Sequence, residues 1–441
     1  MPTEIDDWTN AIHTGDAFDV VADLPDESIH AVVTDPPYGL NFMGEDWDNF
    51  RRKHNDADVG RENVFGRTSS TSPAHGAETE GKRYQEWCEE WAREVKRVLK
   101  PGGHLLAFSG NRTHHRLFTG VEDAGFEIRD TLTWHYGSGF PKASDVSKTI
   151  DKRTDAEREV VRTREANDIR GDNYNQSDET MEYEVTAPAT DAAKKWDGWK
   201  TGLKPATEFV VMARKPYDGA TVDSVLENGT GALNIEACRV GDDVDTTRPD
   251  GPNNPEIYGP QTNDDRGSDT GGRYPANVIF DEVAADALDA EVGELADSTQ
   301  NTSKRGYDSN VYGDKVDHEA GGASGYEGSG GPSRYFYTSK ASRSERTNDG
   351  AIENDHPTVK PRDLMEWLIR LVTREGQIVL DPFAGSGTTC TAAKALQREF
   401  VGIERQAKYA DVARVRCGLT PDDPSSVRED GVVGLEAFAD D

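Results

Sequence analysis

The stretch from residue 377 to residue 404 constrains the fold more than any other part of this sequence. An apolar run over 377–381 predicts a buried strand, and a glycine-rich turn followed by apolar residues at helical spacing predicts a helix. A second apolar run over 400–403 ends in Glu404. Strand, glycine-rich turn, helix and strand in this order are typical of the first unit of a dinucleotide-type fold. We therefore predict a doubly wound, mostly parallel α/β sheet.

The same unit predicts the kind of cofactor. Glycines in such a turn let backbone N–H groups approach a ligand closely. No lysine follows Gly387 at the place that a phosphate loop requires, so the turn is not a phosphate loop. Glu404 lies about 20 residues beyond the turn, where an acidic residue binds a ribose diol. A ribose-bearing cofactor without an essential phosphate contact favours S-adenosyl-L-methionine over NAD.

A second motif, Asp35-Pro36-Pro37-Tyr38-Gly39, directly follows the apolar run 29–34. Consecutive prolines fix φ at about −65° and restrict the residue before each of them, so this strand end is rigid. It presents a carboxylate, prolyl carbonyls and an aromatic face together. That combination suits a planar substrate with an exocyclic amino group. Taken alone, the motif has an alternative interpretation as an ordinary proline-rich turn with a surface tyrosine.

Together the two motifs resemble the DNA amino-methyltransferases, which methylate adenine N6 or cytosine N4. Their order, with the Asp35 motif first and the glycine-rich turn last, is similar to the permuted β class of that family. Segment 354–361 resembles the part that contacts the methionine moiety of the cofactor, segment 134–142 an aromatic turn beside the base pocket, and 203–213 the strand that follows this turn. The resemblance covers roughly 1–142, 200–216 and 334–416.

The resemblance implies the S-adenosylmethionine-dependent methyltransferase fold, circularly permuted, with an inserted target-recognition region. It implies methyl transfer to a base flipped out of double-stranded DNA. Aspartate at the first motif position is the usual adenine form in this family, so adenine N6 is favoured over cytosine N4. RNA and protein amino-methyltransferases generally place the cofactor motif first and are less favoured. A catalytically inactive DNA-binding module is disfavoured because the motif residues are intact.

The resemblance also assigns roles to residues. The predicted catalytic residues are Asp35, Pro36, Pro37 and Tyr38. Asp35 and the Pro36 carbonyl would accept hydrogen bonds from the target amino group, and Tyr38 would stack on the base. The residues predicted to bind the cofactor are Asp16, Thr358, Lys360, Asp381, Phe383, Gly385, Ser386, Gly387, Thr388 and Glu404. For Asp16 a helix-capping role is an open alternative.

The motifs divide the chain into six predicted parts. Residues 1–142 carry the Asp35 motif, 200–216 supply a strand of the same sheet, and 334–416 bind the cofactor. Residues 143–199 form an inserted segment for DNA recognition. Residues 217–333, rich in Gly, Asp, Asn and Ser, form the main target-recognition region and are partly disordered. Residues 417–441 are an acidic tail.

The net charge of −32 is unusual for a protein that binds DNA. Acidic residues are spread along the whole chain and hydrophobic residues make up only 34%, which favours a protein of concentrated salt, from a haloarchaeon or its virus. An acidic cytosolic protein that avoids nucleic acid is the alternative.

The four cysteines are scattered, so we expect neither disulfides nor a metal site. No apolar stretch is long enough for a membrane span, and no secretion signal is recognisable. We therefore expect a cytoplasmic protein. A homodimer and a cognate restriction enzyme stay open as partners.

Overall fold

The computed structural model describes residues 4–39, 73–137, 139, 143–165, 182–241, 272–294, 330–339, 359–424 and 427. The strands in these ranges are β1 (Ala11–Thr14), β2 (Ile29–Thr34), β3 (Leu99–Ser109), β4 (Glu127–His135), β5 (Val160–Glu165), β6 (Glu182–Thr186), β7 (Thr207–Arg214), β8 (Val278–Asp281), β9 (Tyr337–Ser339), β10 (Ile378–Asp381) and β11 (Glu399–Glu404). The helices are α1 (Ala17–Asp23), α2 (Pro73–Val98), α3 (His114–Asp123), α4 (Val146–Arg153), α5 (Asp191–Lys195), α6 (Thr221–Asn228), α7 (Glu282–Val292), α8 (Arg362–Val372), α9 (Thr388–Ala395) and α10 (Ala407–Arg416).

Nine strands form one sheet in the order β1-β11-β10-β2-β3-β7-β4-β8-β9. The pairs from β1 to β3 are parallel, β7 runs antiparallel to β3, and β8 is parallel to both β4 and β9. The predicted mostly parallel sheet is therefore confirmed. The two motif-bearing strands are neighbours, because Val379 of β10 pairs with Ala31 of β2.

Both faces of the central strands are buried. Ala31 and Val33 of β2 pack in the cluster that contains α8, whereas Val32 between them packs in the cluster that contains α2. Successive side chains of a strand point to opposite faces, so a strand covered on both sides needs apolar residues at every position. This explains why the strands were recognisable in the sequence as continuous apolar runs.

The junction between α2 and β3 differs from the prediction. Apolar residues at helical spacing over 86–99, followed by the proline- and glycine-containing run 100–103, predict a helix that ends at this run. In the structure the helix spans Pro73–Val98 and β3 begins directly at Leu99. Leu99 already pairs with Ile29, and the next pair is His104 with Ala31, so residues 100–103 bulge out of the ladder. Gly102 has a positive φ of 77°, which permits this bulge.

Residues 136–207 form a compact unit of their own. Helices α4 and α5 pack together, and β5 and β6 form an antiparallel hairpin. The carboxylate of Asp151, which is fully buried, accepts hydrogen bonds from the backbone of Ala189 and Thr190 and forms an ion pair with Arg158 at 2.5 Å. Although burial opposes it, these partners lower the pKa of Asp151 to about 2.

Segment 217–333 also contributes to the central sheet. Segment 217–333 was predicted as the main target-recognition region, but its strand β8 lies inside the nine-stranded sheet, between β4 and β9. Helices α6 and α7, from the same segment, also belong to the larger unit. A four-residue strand among polar loops gave too short an apolar pattern to be assigned to the sheet. Residues 242–271 and 295–329 of that segment, and the tail beyond 427, lie outside the described ranges.

Candidate active site

Four acidic side chains come together at one edge of the sheet. Glu404 ends β11 and pairs with Thr14, two residues before Asp16. Asp381 ends β10, the strand between β11 and β2, and Asp35 directly follows β2. Parallel strands end at the same edge, where open α/β sheets bind their ligands.

The glycine-rich turn between β10 and α9 is tied to Glu404. One oxygen of this carboxylate accepts a hydrogen bond from the Gly385 N–H at 2.9 Å, and the other accepts from the Gln406 N–H at 2.7 Å. Burial raises the pKa of Glu404, although these hydrogen bonds work against the shift. The side chain is only partly buried, so a ligand on the turn can still reach it.

Asp381 also stabilises the glycine-rich turn. Its carboxylate accepts hydrogen bonds from the Thr34 hydroxyl at 2.6 Å and from the Phe383 N–H at 3.1 Å, and the residue is only 3% exposed. Burial raises the pKa of Asp381 to about 6 despite these donors. The structure gives Asp381 a role in joining β2 to the turn, and the predicted direct contact with a cofactor stays a prediction.

The side chains of Ser386 and Thr388 face α10. The buried guanidinium of Arg416 donates to the Ser386 carbonyl at 2.7 Å and to both hydroxyls at 3.1 Å. Gly387 has a φ of 82°, and a Cβ placed on it would lie 2.7 Å from the Cβ of Ala413. The expected approach of a ligand to the backbone of the glycine-rich turn stays a prediction. In addition, Gly387 is required by the close approach of α10.

A compact cluster lies around the Asp35 motif. The Tyr38 hydroxyl is 2.7 Å from Asp35 Oδ1 and 2.9 Å from Glu208 Oε2. Lys360 Nζ donates to Asp35 Oδ2 at 2.5 Å and lies 3.2 Å from Glu208 Oε2. Glu208 stands near the start of β7, which brings it to the end of the neighbouring β3 and so to the motif.

The charges of this cluster depend on one another. Burial disfavours the charged form of Lys360, but the carboxylates of Asp35 and Glu208 outweigh it and raise the pKa of this ammonium group. Burial and the same two carboxylates raise the pKa of Tyr38, so the phenol stays protonated. The cluster thus holds two carboxylates, one ammonium and one neutral phenol. It is rich in acceptors for N–H groups.

The remaining predicted residues fall into three groups. Asp16 caps α1, because its carboxylate accepts from the Phe18 N–H at 3.0 Å; the open capping alternative is observed and a cofactor contact stays a prediction. The ring of Phe383 lies 5.5 Å from Trp87 and 5.6 Å from Trp91 of α2 and is partly exposed on the turn. Thr358 lies outside the described residues.

The two prolines of the motif keep their predicted place after β2. The Pro37 carbonyl accepts a hydrogen bond from the Tyr84 hydroxyl of α2 at 3.1 Å, which anchors the motif to the helix. Pro36 lies beside Asp35 and is buried. The catalytic roles of both stay predictions.

Sequence reasoning missed three residues of this site, namely Glu208, Arg416 and Thr34. Glu208 stood in the segment 203–213 that was matched to the family, but nothing in the sequence indicated that it would reach Tyr38. Within the described ranges, no group of three or more His, Cys, Asp or Glu side chains is arranged to hold a metal ion. No helix in these ranges is long and apolar enough to cross a membrane.

Known proteins share this sequence pattern. A family model described as DNA methylase, of the N6/N4 type, matches residues 29–415. The Type II methyltransferase M.HindIII of Haemophilus influenzae is 26% identical over 421 residues, which span 93% of this chain and 96% of that protein. The Type II methyltransferase M2.DpnII of Streptococcus pneumoniae is 51% identical over 61 residues, which span 14% of this chain and 23% of that protein.

Two solved structures are also similar. The PvuII DNA methyltransferase (cytosine-N4-specific) has a TM-score of 0.44 at 14% identity, with 97% of this chain and 89% of that chain covered. A DNA modification methylase of Thermus thermophilus, complexed with S-adenosyl-L-methionine, has a TM-score of 0.38 at 16% identity, with 92% of this chain and 93% of that chain covered.

Proposed function

Because the chain belongs to the N6/N4 DNA methylase family, we propose that it transfers a methyl group from S-adenosyl-L-methionine to the exocyclic N6 of adenine in duplex DNA. One observation carries the proposal. Asp35 and the glycine-rich turn follow adjacent parallel strands, so an amino group bound to Asp35 would lie next to a cofactor bound on the turn. The chain order, with the Asp35 motif first, supports the permuted β class.

The residues of the turn fit the cofactor. Glu404 is partly exposed, and each of its carboxylate oxygens keeps a lone pair for a ribose hydroxyl beyond its backbone partner. Phe383 offers a partly exposed ring to an adenine moiety. When bound, S-adenosyl-L-methionine supplies a methyl group on a positively charged sulfur. Asp35 and Glu208 carry two negative charges against the single positive charge of Lys360, so together with Glu404 this edge of the sheet stays negative, which suits a cation.

The Asp35 cluster would activate the target by hydrogen bonding. The lone pair of an exocyclic amino nitrogen is delocalised into the ring, which makes it a poor nucleophile. Acceptors at Asp35 and the Pro36 carbonyl would bind both N–H groups and favour a pyramidal nitrogen with its lone pair exposed. Positioning and electrostatics then provide most of the rate enhancement. Tyr38 would stack on the flipped base, an interaction of about 1–3 kcal/mol. This would offset part of the few kcal/mol that unstacking from the duplex requires.

The choice of adenine rests on Asp35, the aspartate at the first position of the motif. The test must distinguish adenine N6 from the alternative, cytosine N4. Purified protein is incubated with unmethylated duplex DNA of mixed sequence and S-adenosyl-L-methionine, and the DNA is digested to nucleosides for mass spectrometry. We expect N6-methyladenine. N4-methylcytosine would overturn the base assignment alone, and no methylated nucleoside would overturn the function.

The catalytic assignment is tested with Asp35→Ala beside a matched control, Asp286→Ala, which removes an exposed aspartate of α7. We expect Asp35→Ala to abolish transfer and to keep cofactor binding, measured by calorimetry, whereas Asp286→Ala behaves as the unsubstituted protein. Near-normal transfer by Asp35→Ala would contradict the role of the motif.

For DNA recognition we propose the unit of residues 136–207. It carries 12 basic and 14 acidic side chains, so it is nearly neutral in a chain of net charge −32. Its stretch 194–204 holds four lysines, two tryptophans and one aspartate. Trp196 and Trp199 are 45% and 59% exposed, with ring centroids 5.0 Å apart. Exposed aromatic rings among lysines are typical of nucleic-acid surfaces.

The test replaces both tryptophans by alanine and measures binding to a fluorescently labelled duplex by anisotropy. Alanine offers no ring for a base to stack on, so we expect binding to weaken by about 1–3 kcal/mol. Tyr274→Ala, which removes an exposed ring of the larger unit, is the control and should leave affinity unchanged. If the control and the double variant bind equally well, this unit does not recognise DNA through its tryptophans.

The acidic surface supports a further proposal, that the protein works in concentrated salt, as in haloarchaea or their viruses. At about 1 M salt the screening length is about 3 Å, so repulsion between the acidic chain and DNA is short-ranged. A local surface such as 194–204 can then bind DNA despite the net charge.

A further inference from the structure

The Tyr38 hydroxyl has a single proton and lies between two carboxylates. Its hydroxyl is 2.7 Å from Asp35 Oδ1 and 2.9 Å from Glu208 Oε2, and ionised carboxylates only accept hydrogen bonds. The phenol can therefore donate to Asp35 or to Glu208, but not to both at once. The high pKa of Tyr38 keeps that one proton on the phenol. The cluster thus has two hydrogen-bonding arrangements with nearly the same atomic positions.

The two arrangements differ in what they leave available on Asp35. Oδ2 of Asp35 accepts from Lys360 at 2.5 Å in either arrangement. When Tyr38 donates to Oδ1, both oxygens of Asp35 are engaged, and an oxygen that already accepts from a phenol is a weaker acceptor for an amino group. When Tyr38 donates to Glu208, Oδ1 of Asp35 is open to a new N–H donor.

Glu208 is placed to stabilise the second arrangement in a buried site. Lys360 Nζ lies 3.2 Å from Glu208 Oε2 and 3.3 Å from the Tyr38 hydroxyl, so one ammonium group compensates both carboxylates. The side chains of Glu208 and Asp35 are 19% and 18% exposed. Without Glu208, turning the Tyr38 hydroxyl away from Asp35 would leave a largely buried donor unsatisfied, which is unfavourable.

Resting on the function proposed above, we propose that Glu208 is a positioning residue that takes over the hydrogen bond of Tyr38 when the target amino group binds to Asp35. Glu208 acts through the hydroxyl of Tyr38 and does not itself contact the base. Lys360 holds Asp35 in place through Oδ2 while this exchange occurs. The target class is any base whose exocyclic N–H is presented to Oδ1 of Asp35.

The proposal is tested by the rate of methyl transfer in Glu208→Ala, Glu208→Gln and Tyr38→Phe, and in the double variant Tyr38→Phe with Glu208→Ala. The substrate is unmethylated duplex DNA of mixed sequence with tritium-labelled S-adenosyl-L-methionine. We expect Glu208→Ala to lower kcat by about 10- to 100-fold, the scale of a misplaced catalytic group, and to leave the KM for DNA within about threefold. Glu208→Gln keeps an acceptor oxygen and should retain kcat within about threefold.

The double variant decides how Glu208 acts. If it acts through the Tyr38 hydroxyl, removing Glu208 from the Tyr38→Phe protein should change kcat by no more than about twofold, because the effects of coupled residues do not add. Full additivity of the two effects would overturn the proposal. So would equal decreases in Glu208→Ala and Glu208→Gln, since the charge and not the acceptor would then matter.

Two measurements separate this proposal from its premises. Glu291→Ala, which removes an exposed glutamate of α7, should leave kcat and the melting temperature unchanged. Cofactor affinity of Glu208→Ala, measured by calorimetry, should equal that of the unsubstituted protein, and a large decrease would mean misfolding of the site and would contradict a positioning role. If the unsubstituted protein transfers no label, the proposed function fails; if it does and Glu208→Ala matches it, only this inference fails.

Discussion

Glu404 is a single side chain with one observed role and one proposed role. Its oxygens accept from the Gly385 and Gln406 N–H groups, which fixes the turn after β10 to the end of β11. The lone pairs left over on the same oxygens are the proposed acceptors for a ribose diol. If Glu404 binds the ribose as proposed, its removal should affect both the shape of the turn and the binding of the cofactor.

We predict that Glu404→Ala weakens binding of S-adenosyl-L-methionine by about 1–3 kcal/mol, the scale of hydrogen bonds to a charged group. It should also lower the melting temperature, because the Gly385 N–H loses its acceptor. Calorimetry and thermal melts measure the two effects. Glu404→Gln keeps one acceptor oxygen and should fall between Glu404→Ala and the unsubstituted protein; unchanged affinity in Glu404→Ala would place the ribose elsewhere.

Single site residues could be predicted only where they belong to a sequence motif. Asp35 and Glu404 could be predicted because each ends an apolar run. The contact of Lys360 with Asp35 joins residues 325 positions apart, and Glu208 reaches Tyr38 across 170 positions. No local pattern encodes such contacts, because they arise from strand order in the sheet and not from spacing along the chain.

At the scale of elements, the contact between the glycine-rich turn and α10 depends on the absence of a side chain. A Cβ on Gly387 would lie 2.7 Å from the Cβ of Ala413, and the residue has a φ of 82°. Gly376 has a similar φ of 74°, but nothing lies within 4 Å of its Cβ position. An alanine at position 376 would therefore add only backbone strain, whereas an alanine at position 387 would add the same strain and a steric clash.

We predict that Gly376→Ala costs about 1–2 kcal/mol of stability, the strain of a left-handed non-glycine residue. Gly387→Ala should cost that amount and about 1–3 kcal/mol more for overpacking. Chemical denaturation with both variants measures the difference. Equal costs would show that α10 moves aside without penalty and that the turn is not held by this contact.

A second element-scale prediction concerns the buried Asp151 of the 136–207 unit. The pKa of this carboxyl is lowered to about 2, below the value of about 4 in an unfolded chain. Its stabilising contribution is therefore complete above pH about 4 and is lost as the pH falls toward 2. Acid unfolding followed by tryptophan fluorescence should show this decrease, and Asp151→Asn should reduce the slope in that window. An identical acid profile in the variant would contradict it.

Elements with strong periodicity were predictable, and those shaped by their surroundings were not. The strands 378–381 and 399–404 matched their predicted places almost residue for residue. The start of α2 at Pro73 was missed because its first turns are polar, and β8 was missed because four residues carry little pattern. The neighbours in the sheet, not the local sequence, make β8 a strand.

For the whole molecule, charge is the dominant property. All but two of its 32 net negative charges lie outside residues 136–207. Self-repulsion of such a chain weakens when salt screens it. We predict that thermal stability rises from about 0.1 to 3 M KCl and that methyl transfer persists there, although phosphate contacts release counterions and normally weaken with salt.

Melting temperatures and transfer rates measured along the same KCl series test this prediction. The Trp196 and Trp199 double variant is the control that separates stability from DNA affinity. It keeps every acidic residue, so its melting temperature should follow the same salt dependence. Highest stability and activity at the lowest salt, declining steadily above it, would exclude a salt-adapted surface and would leave the active-site assignment intact.

The two ends of the 136–207 unit lie close together. The Tyr136 N–H donates to the Ala206 carbonyl at 3.1 Å, and the strands that enter and leave the unit, β4 and β7, are neighbours in the sheet. Closing this gap with a short hairpin turn would therefore require little loop entropy. If this unit reads the DNA as proposed, exchanging it for another would change the target sequence and would leave the strands that carry Asp35 and Glu404 unaltered.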